Sequence, residues 1–194
     1  MRVMFSPTSS LERLVSSKRI LVLGSSGSGK TYLSTHLAQR LAIAPIHLDK
    51  YFWQPGWIPT PQTEWRKRVA QLVSQPAWII DGMYESTLDL RLPPSETIII
   101  VESGPISCTW GVVKRKLTVD DAHREDAPPG QKIDRAFLRY IWRYPWVTRP
   151  HLHQRLDEYA IGKNLVFLKG KRGGNELIQL LDARAVGTFT KRAV

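Results

Sequence analysis

One eight-residue segment constrains the fold of this chain more than any other feature of its sequence. Gly24–Thr31 reads GSSGSGKT and satisfies the pattern G-x-x-x-x-G-K-[ST]. The short apolar run Lys18–Gly24 leads into it, and Leu33, Leu37 and Leu41 follow it at helical spacing. This pattern forms a phosphate-binding loop when it lies between a strand and a helix. The segment therefore predicts an α/β domain built around such a loop.

The residues of this loop predict how a nucleotide is held. Glycines let successive backbone N–H groups turn inward around a phosphate, and the following helix adds the positive end of its dipole. Lys30 is expected to reach the β- and γ-phosphates, and the Thr31 hydroxyl is expected to bind Mg²⁺. We therefore predict ATP and Mg²⁺ as cofactors, with the nucleotide held by Gly24, Ser25, Ser26, Gly27, Ser28, Gly29, Lys30 and Thr31.

Short apolar runs alternate with amphipathic segments along the rest of the chain. Strands are predicted at 18–24, 45–48, 78–81, 97–102 and 164–168. Helices are predicted at 30–42, 63–73, 105–117, 175–181 and, with interruptions at Pro145 and Pro150, 133–159. This alternation predicts an open, doubly wound, parallel five-stranded α/β fold. The predicted organisation is a poorly ordered leader, a P-loop domain containing a helical lid region, and a basic tail, at 1–17, 18–182 (lid about 104–150) and 183–194.

Composition limits the compartment and the partners. The formal charge of +11 and the pI near 10.0 favour polyanionic partners, which include nucleotides, phosphorylated metabolites and nucleic acid. Cys108 is the single cysteine, so an intramolecular disulfide is excluded and a reducing compartment fits. No apolar run approaches the roughly 18 residues of a membrane span, and the N-terminus lacks the features of a secretory signal. A cytoplasmic protein without a membrane partner is predicted, and its oligomeric state is left open.

Several classes of P-loop protein are disfavoured by missing motifs. A GTPase would need a guanine-reading N-K-x-D and a switch D-x-x-G, and neither stands in a suitable place. A motor ATPase would normally be longer and would carry an apolar strand ending in Asp-Glu. This chain instead has IHLD after its second strand and WIIDGMY after its third.

These segments resemble a known family. The blocks GSSGSGKT, HLDKYFWQPGW, WIIDGMYESTLDLRL and IWRYPWVTRP resemble the DNA topology modulation (FlaR-type) proteins, which are small P-loop proteins related to adenylate kinase. The resemblance spans roughly Arg19 to Leu181, most of the chain. It implies a nucleoside-monophosphate-kinase-like fold and an ATP-dependent phosphotransferase whose acceptor is a small molecule, such as a nucleoside or a nucleotide.

Two carboxylates receive roles from this resemblance. Asp81, at the end of strand three, would support a Mg²⁺-bound water beside the phosphates, and the alternative is a cap for the turn at Gly82. Asp49, at the end of strand two, would orient or deprotonate the acceptor hydroxyl, and the alternative is a cap of a short helix.

The resemblance also assigns residues to the acceptor. Trp53 and Trp57 would form a wall for a ring-bearing substrate, or they would be anchors packed beneath their own loop. Arg91 would clamp an acceptor phosphate, and the alternative is a surface salt bridge with Asp89 or Glu85.

Basic residues of the lid region would act on the transferring phosphoryl group. Arg115 and Arg149 best match the recurrent basic positions of the family. The loop between them is largely acidic in this chain, where family members tend to be basic, and Arg124 is its one evident candidate. A slow kinase and a nucleotide-binding regulator both fit such a loop.

A function of another class uses the same region. In a nucleotide-dependent DNA-binding or topology-modulating protein, Arg139 and Arg143, four residues apart, would follow a phosphate backbone. Trp142 and Trp146 are spaced for burial against the sheet, which would prevent them from stacking on bases. Nucleic acid is therefore the less favoured partner. ATP hydrolysis without an acceptor is a third, weaker alternative.

Overall fold

The computed structural model describes residues 7–119 and 126–192. In chain order the elements are α1 (Pro7–Ser16), β1 (Arg19–Gly24), α2 (Lys30–Leu41), β2 (Pro45–His47), α3 (Leu48–Phe52), β3 (Trp53–Gln54), β4 (Ile58–Pro59), α4 (Gln62–Val73), β5 (Trp78–Asp81), α5 (Leu88–Arg91), β6 (Thr97–Glu102), α6 (Pro105–Thr118), α7 (Arg135–Arg143), α8 (Thr148–Tyr159), β7 (Asn164–Lys169) and α9 (Gly170–Arg192). A single 3₁₀ turn, Glu85–Thr87, precedes α5 in these described residues.

The main sheet has the strand order β2-β5-β1-β6-β7, and every pairing in it is parallel. The central strand, β1, lies between β5 and β6, so the chain crosses to opposite sides of β1 after leaving it. In open α/β sheets, ligands bind at the carboxyl ends of the strands where the order reverses in this way. Gly24, the last residue of β1, lies at this point.

The core forms two layers because successive residues of a strand point to opposite faces of the sheet. Leu21 and Leu23 face a layer completed mainly by α3, α4 and α8, through Leu48, Trp65, Val69, Leu152 and Leu156. Ile20 and Val22 face a layer completed by α1, α2 and α9, through Leu14, Leu33, Leu37, Leu177 and Ile178. Each fully buried side chain of this size contributes about 1.5–3 kcal/mol, which makes the sheet a rigid platform for its loops.

The predicted fold class is confirmed. All five predicted strands agree with the structure to within one residue at each end. Parallel strands covered on both faces are near-continuous apolar runs, which is why their ends are evident in the sequence. The short antiparallel pair formed by β3 and β4 was not predicted.

The expectation of a poorly ordered leader is wrong for residues 7–16, which form α1. Leu14 is fully buried in the second core layer. The Ser10 hydroxyl donates to Asn164 Oδ1 at 2.7 Å, which ties α1 to the start of β7. The spacing of Leu11, Leu14 and Val15 was the overlooked signal, because residues three and four apart share a helix face.

Two further helix expectations need correction. Pro145 separates α7 from α8, but Pro150 lies in the first turn of α8, where a missing backbone N–H does not interrupt the helix. The closing helix is longer than predicted, because α9 runs from Gly170 through most of the predicted basic tail to Arg192. Even so, no helix in the described ranges is both long enough and apolar enough to span a membrane.

Candidate active site

The phosphate-binding loop adopts a backbone that requires glycine. Gly27 has φ 80°, and a Cβ there would lie 2.1 Å from the carbonyl oxygen of Cys108 on α6. Gly24 has φ 146°, and its Cβ would lie 2.4 Å from the carbonyl oxygen of Val101. The loop is therefore enclosed by β6 and α6, with its backbone free to wrap an anion at the start of α2.

The enclosure of Gly27 gives a direct prediction. Gly27→Ala is expected to weaken ATP binding at least about 10-fold and to lower the free energy of unfolding by about 1–3 kcal/mol, because the added methyl group meets a backbone carbonyl and the φ is unfavourable. Isothermal titration calorimetry and urea denaturation measure the two effects. The control is Gly104→Ser, since a Cβ at Gly104 has no atom within 4 Å. Equal changes of ATP affinity and of unfolding free energy in the two variants would contradict the close contact between Gly27 and the Cys108 carbonyl.

Lys30 is held inside this loop. Its Nζ donates to the carbonyl oxygen of Ser25 at 2.7 Å, and the side chain lines a large cleft. Burial lowers the pKa of Lys30, and the nearby carboxylates of Asp81 and Asp49 oppose that change. The ammonium group is therefore poorly solvated, so that an incoming phosphate would supply interactions that water does not.

Asp81 is fixed by side chains of two neighbouring elements. Its Oδ2 accepts hydrogen bonds from the Ser34 hydroxyl on α2 and from His47 Nδ1, the latter at 2.6 Å. Burial opposes protonation of His47, but the hydrogen bond and the charge of Asp81 give a net rise in its pKa. Asp81 is 5% exposed and lines the cleft, and its support of Mg²⁺ stays a prediction.

The residues predicted for Mg²⁺ fit this ion by chemistry. Thr31 and Asp81 both line the cleft and offer hydroxyl and carboxylate oxygens, the hard ligands that Mg²⁺ prefers. Within residues 7–119 and 126–192, no three His, Cys, Asp or Glu residues cluster to form a metal cage. Mg²⁺ commonly keeps several waters and binds through one or two carboxylates together with substrate phosphates.

Asp49 lies in the first turn of α3 and also lines the cleft. Its carboxylate accepts a hydrogen bond from the Tyr84 hydroxyl. Burial raises the pKa of Asp49, while that hydrogen bond and the charge of Lys30 act in the opposite direction. A partly buried carboxyl with a raised pKa, close to the lysine of the phosphate-binding loop, has the properties of an acid–base group.

The aromatic residues of the next loop both line the cleft and pack together. The rings of Trp53 and Trp57 are 5.1 Å apart, and Phe52 packs on Trp53 at 4.8 Å and on Tyr84 at 4.7 Å. The indole N–H of Trp57 donates to the carbonyl oxygen of Pro129 at 2.9 Å. These aromatic residues therefore line the cleft and also anchor their own loop, and their contact with a ring-bearing substrate stays a prediction.

Arg91 is not available to clamp an acceptor phosphate, and this part of the prediction is wrong. The side chain is fully buried and lies outside the lining of the cleft. Its guanidinium donates to the backbone carbonyls of Gly82, Met83 and Tyr84 at 2.6–2.8 Å. The alternative, a surface salt bridge with Asp89 or Glu85, also fails, because the guanidinium of Arg91 is buried and Asp89 pairs with Arg66. Burial lowers the pKa of Arg91 to about 9, which leaves it protonated at neutral pH.

The three predicted lid arginines have different positions. Arg115 lines the cleft, where it donates to Gln131 Oε1 at 3.0 Å and lies 3.8 Å from Asp126. Arg149 lies outside the cleft lining and pairs with Glu102 at 3.3 Å, so the structure does not bring it to the site. Arg124 falls outside the described residues.

Comparison with solved structures identifies the fold. Deoxyadenosine kinase from M. mycoides with bound dATP is 10% identical, with 86% of this chain and 98% of that chain covered and a TM-score of 0.52. A sugar kinase from Janibacter sp. is 17% identical, with 84% and 91% covered and a TM-score of 0.50. Shikimate kinase from Bacteroides thetaiotaomicron is 13% identical, with 88% and 99% covered and a TM-score of 0.48. The chain has the fold of P-loop kinases.

Sequence comparison adds no closer relative. No family model and no curated protein sequence matches the chain. The resemblance to DNA topology modulation proteins therefore stays a prediction, and the likeness to kinases at these identities concerns the fold alone.

The lid helices expose residues that were expected to be buried. Ile141 and Tyr144 are buried, but Trp142 is 46% exposed and Trp146 is 70% exposed. The spacing argument against base stacking is therefore wrong for these two tryptophans, because Trp142 lies on an exposed face of α7 and Trp146 lies in the exposed connection between α7 and α8. DNA binding itself stays a prediction.

Other lining residues were missed by the sequence analysis. The cleft has a volume of about 1060 Å³, and it also includes Tyr84, Lys114, Phe137, Tyr140 and Lys171. Tyr84 belongs to the WIIDGMY block and could have been noticed there. Phe137 and Tyr140 lie three residues apart on α7, so their spacing predicts that they share one face of the helix. It does not predict that this face borders the cleft.

Proposed function

We propose that this chain is an ATP-dependent phosphotransferase that transfers the γ-phosphoryl group of ATP·Mg to the hydroxyl of a small acceptor. The observation that carries the proposal is that Lys30, Thr31, Asp81 and Asp49 line one cleft at the carboxyl edge of the sheet. That cleft therefore offers a triphosphate site and the partly buried carboxyl of Asp49 within one space. The shared fold with P-loop kinases supports the same chemistry.

On the donor side, the chain's own groups bind and orient the triphosphate. Backbone N–H groups of the glycine-rich loop surround the β-phosphate, and the dipole of α2 adds positive potential. Lys30, whose Nζ donates to the Ser25 carbonyl oxygen, reaches the terminal phosphates from that position. Mg²⁺, when bound, neutralises phosphate charge, and Thr31 and Asp81 are the residues that would hold it.

On the acceptor side, Asp49 binds the attacking hydroxyl and receives its proton. The acceptor oxygen forms a bond to the γ-phosphorus while the bond from that phosphorus to the β–γ bridging oxygen breaks. ADP leaves with the electron pair, and a phosphate monoester is formed. The Tyr84 hydroxyl fixes the carboxylate during this step. Arg115, on the cleft wall, would neutralise charge on the transferring group.

The test of this function is acceptor-stimulated release of ADP. ATP binding by the purified chain is first measured by calorimetry with Mg²⁺ present. ADP formation is then followed with panels of nucleosides, nucleotides, sugars and other alcohols. We expect at least one acceptor to raise the rate about 10-fold or more over hydrolysis to water. ATP binding without stimulation by any acceptor would instead favour simple hydrolysis, and absence of ATP binding would overturn the proposal.

A prediction about Asp49 tests the assignment of the base. Asp49→Asn is expected to lower kcat by about 100-fold or more, with the affinity for ATP changed less than about 3-fold, because only proton transfer from the acceptor is lost. Steady-state kinetics and calorimetry measure the two quantities. Asp157→Asn, an exposed carboxyl on α8, is the matched control. Equal loss of ATP affinity and kcat would show that Asp49 acts on the donor.

The pH profile gives a second measure of the same group. A carboxylate base must be deprotonated, so kcat falls as the pH drops through its pKa. Because burial raises the pKa of Asp49, the acidic limb is expected above the ordinary aspartate value of about 3.9. Tyr84→Phe should move that limb to higher pH, since it removes the hydrogen bond that stabilises the carboxylate.

A further inference from the structure

The residues around Asp49 have a chemical character that limits the acceptor, provided that the proposed phosphotransfer is correct. We define the acceptor wall as Asp49 together with the lining residues that link to it, directly or through one another, by ring contacts or electrostatic proximity. Its members are Asp49, Phe52, Trp53, Trp57, Tyr84, Glu85 and Tyr140. Five of these residues are aromatic and two are acidic.

The charges near the acceptor wall are mainly negative. Asp81 and Asp126 both act to raise the pKa of Asp49, and Lys30 is the basic group that opposes them. Glu85 and Asp49 are the acidic neighbours of Tyr140. A phosphate monoester placed here would face the carboxylates of Asp49 and Glu85, while the charge of Asp126 is offset by Arg115 at 3.8 Å.

Three basic residues in the described lining lie beside the phosphate-binding loop or on the helix packed against it. Lys171 packs against Gly29 of the phosphate-binding loop. Lys114 and Arg115 belong to α6, which is packed on that loop where Gly111 meets the Gly27 carbonyl. Lys132 follows Gln131, the hydrogen-bond partner of Arg115, and lies three residues from Pro129, whose carbonyl accepts the indole N–H of Trp57. Lys171, Lys114 and Arg115 therefore suit a triphosphate on the side of the cleft formed by the loop and α6.

The arginine that the sequence offered for an acceptor phosphate is absent from the wall. Arg91 is fully buried, and its guanidinium is occupied by the backbone carbonyls of Gly82, Met83 and Tyr84. A bidentate clamp of the kind that holds a substrate phosphate needs a guanidinium with free N–H groups at the cleft surface. Arg91 cannot act in this way without losing its buried partners.

We propose that the acceptor is a ring-bearing alcohol without a phosphate group, so that the site has the chemistry for a nucleoside-like compound and rejects a nucleotide. The aromatic residues Trp53, Trp57 and Tyr140 contact the flat ring, and Asp49 accepts the proton of the attacking hydroxyl. Glu85 and Asp49 repel an anionic substituent. The cleft, at about 1060 Å³, has room for this acceptor beside a nucleotide.

The experiment compares matched pairs of acceptors on the full chain with ATP and Mg²⁺. Adenosine, cytidine, guanosine and thymidine are each compared with their 5′-monophosphates, and glycerol is included as an alcohol without a ring. Coupled ADP release gives kcat/KM, and mass spectrometry identifies the product. We expect at least one nucleoside to exceed its monophosphate about 100-fold in kcat/KM. A monophosphate that is used equally well or better, or glycerol as the best acceptor, would overturn the inference.

A binding measurement separates this inference from the proposed function. Trp53 and Trp57 lie in the wall, so a bound ring should change the tryptophan fluorescence, and titration gives an acceptor Kd that does not depend on turnover. If ATP binds but no nucleoside binds or reacts, the substrate class is wrong and the nucleotide site stands. If ATP itself fails to bind, the proposed function is wrong.

A charge variant tests the reason for the selectivity. Glu85→Gln is expected to narrow the ratio of kcat/KM between nucleoside and monophosphate by about 10-fold, because one repelling charge is removed. Glu64→Gln, an exposed acidic residue of α4 outside the cleft, is the control and should leave the ratio unchanged. An unchanged ratio in the Glu85 variant would contradict the electrostatic explanation.

Discussion

Replacing Lys30 with alanine is expected to lower the affinity for ATP about 100- to 1000-fold and the rate of phosphoryl transfer by at least about 1000-fold. The lysine lies within the phosphate-binding loop, 2.7 Å from the Ser25 carbonyl, and no other cation of the described lining belongs to that loop. Calorimetry with ATP·Mg and single-turnover kinetics measure the two losses.

The same variant is expected to stay folded. Burial lowers the pKa of Lys30, which means that the charged group is unfavourable where it lies and is retained for binding. Its loss should therefore leave the melting temperature unchanged or slightly higher. Lys67→Ala, on the exposed side of α4, is the matched control and should bind ATP normally. ATP affinity within about 3-fold of the wild type in the Lys30 variant would refute the donor site.

The parts of the site that sequence could predict are the parts set by local rules. Gly24, Gly27 and Gly29 all have positive φ, as the pattern of a phosphate-binding loop requires. Asp81 is the last residue of the apolar strand β5, so the length of that strand places it at the edge of the sheet. Short-range backbone geometry and strand burial thus predict both the loop and its nearest carboxylate.

The parts that sequence could not predict depend on contacts between distant residues. Tyr84 meets Asp49 across 35 positions, and His47 meets Asp81 across 34. Neither pairing follows from periodicity, because each joins the ends of two strands whose order in the sheet was unknown. Arg91 was predicted to face the cleft, but its side chain is buried in the core. Its position after an Asp-Gly turn does not determine which of these two directions the side chain takes.

The lid region shows a related difficulty. The helical pattern from 133 to 159 predicted α7 and α8 but placed an interruption at Pro150 that α8 does not have, and the apolar residues on α7 were expected to face the sheet. Instead α7 packs on α6 through Ile141 and Phe137, while Tyr140 lines the cleft and Trp142 is exposed. Tryptophan occurs both in cores and on surfaces, so its burial depends on which neighbouring helix covers it.

Replacing Arg91 with methionine is expected to lower the free energy of unfolding by about 2–6 kcal/mol. Methionine has similar length but no donors, so the carbonyl oxygens of Gly82 and Met83 lose their partner, while that of Tyr84 keeps the backbone N–H of Thr87. Each such group costs about 1–3 kcal/mol when it is left unpaired away from water. Because a domain of this size has a total stability of about 5–15 kcal/mol, urea denaturation should detect a severe loss.

Two comparison variants separate this clamp from a general effect of removing arginine. Arg155→Met, at an exposed ion pair with Glu158, should change the stability by no more than about 0.5 kcal/mol. Arg91→Lys retains a cation with fewer donors and should fold, with the segment from Gly82 to Tyr84 less firmly held. Since Tyr84 in that segment bonds to Asp49, the lysine variant should raise the KM for the acceptor about 10-fold while the Kd for ATP stays constant. Equal weakening toward both substrates would mean that the buried arginine supports the whole sheet edge instead of positioning the acceptor carboxylate.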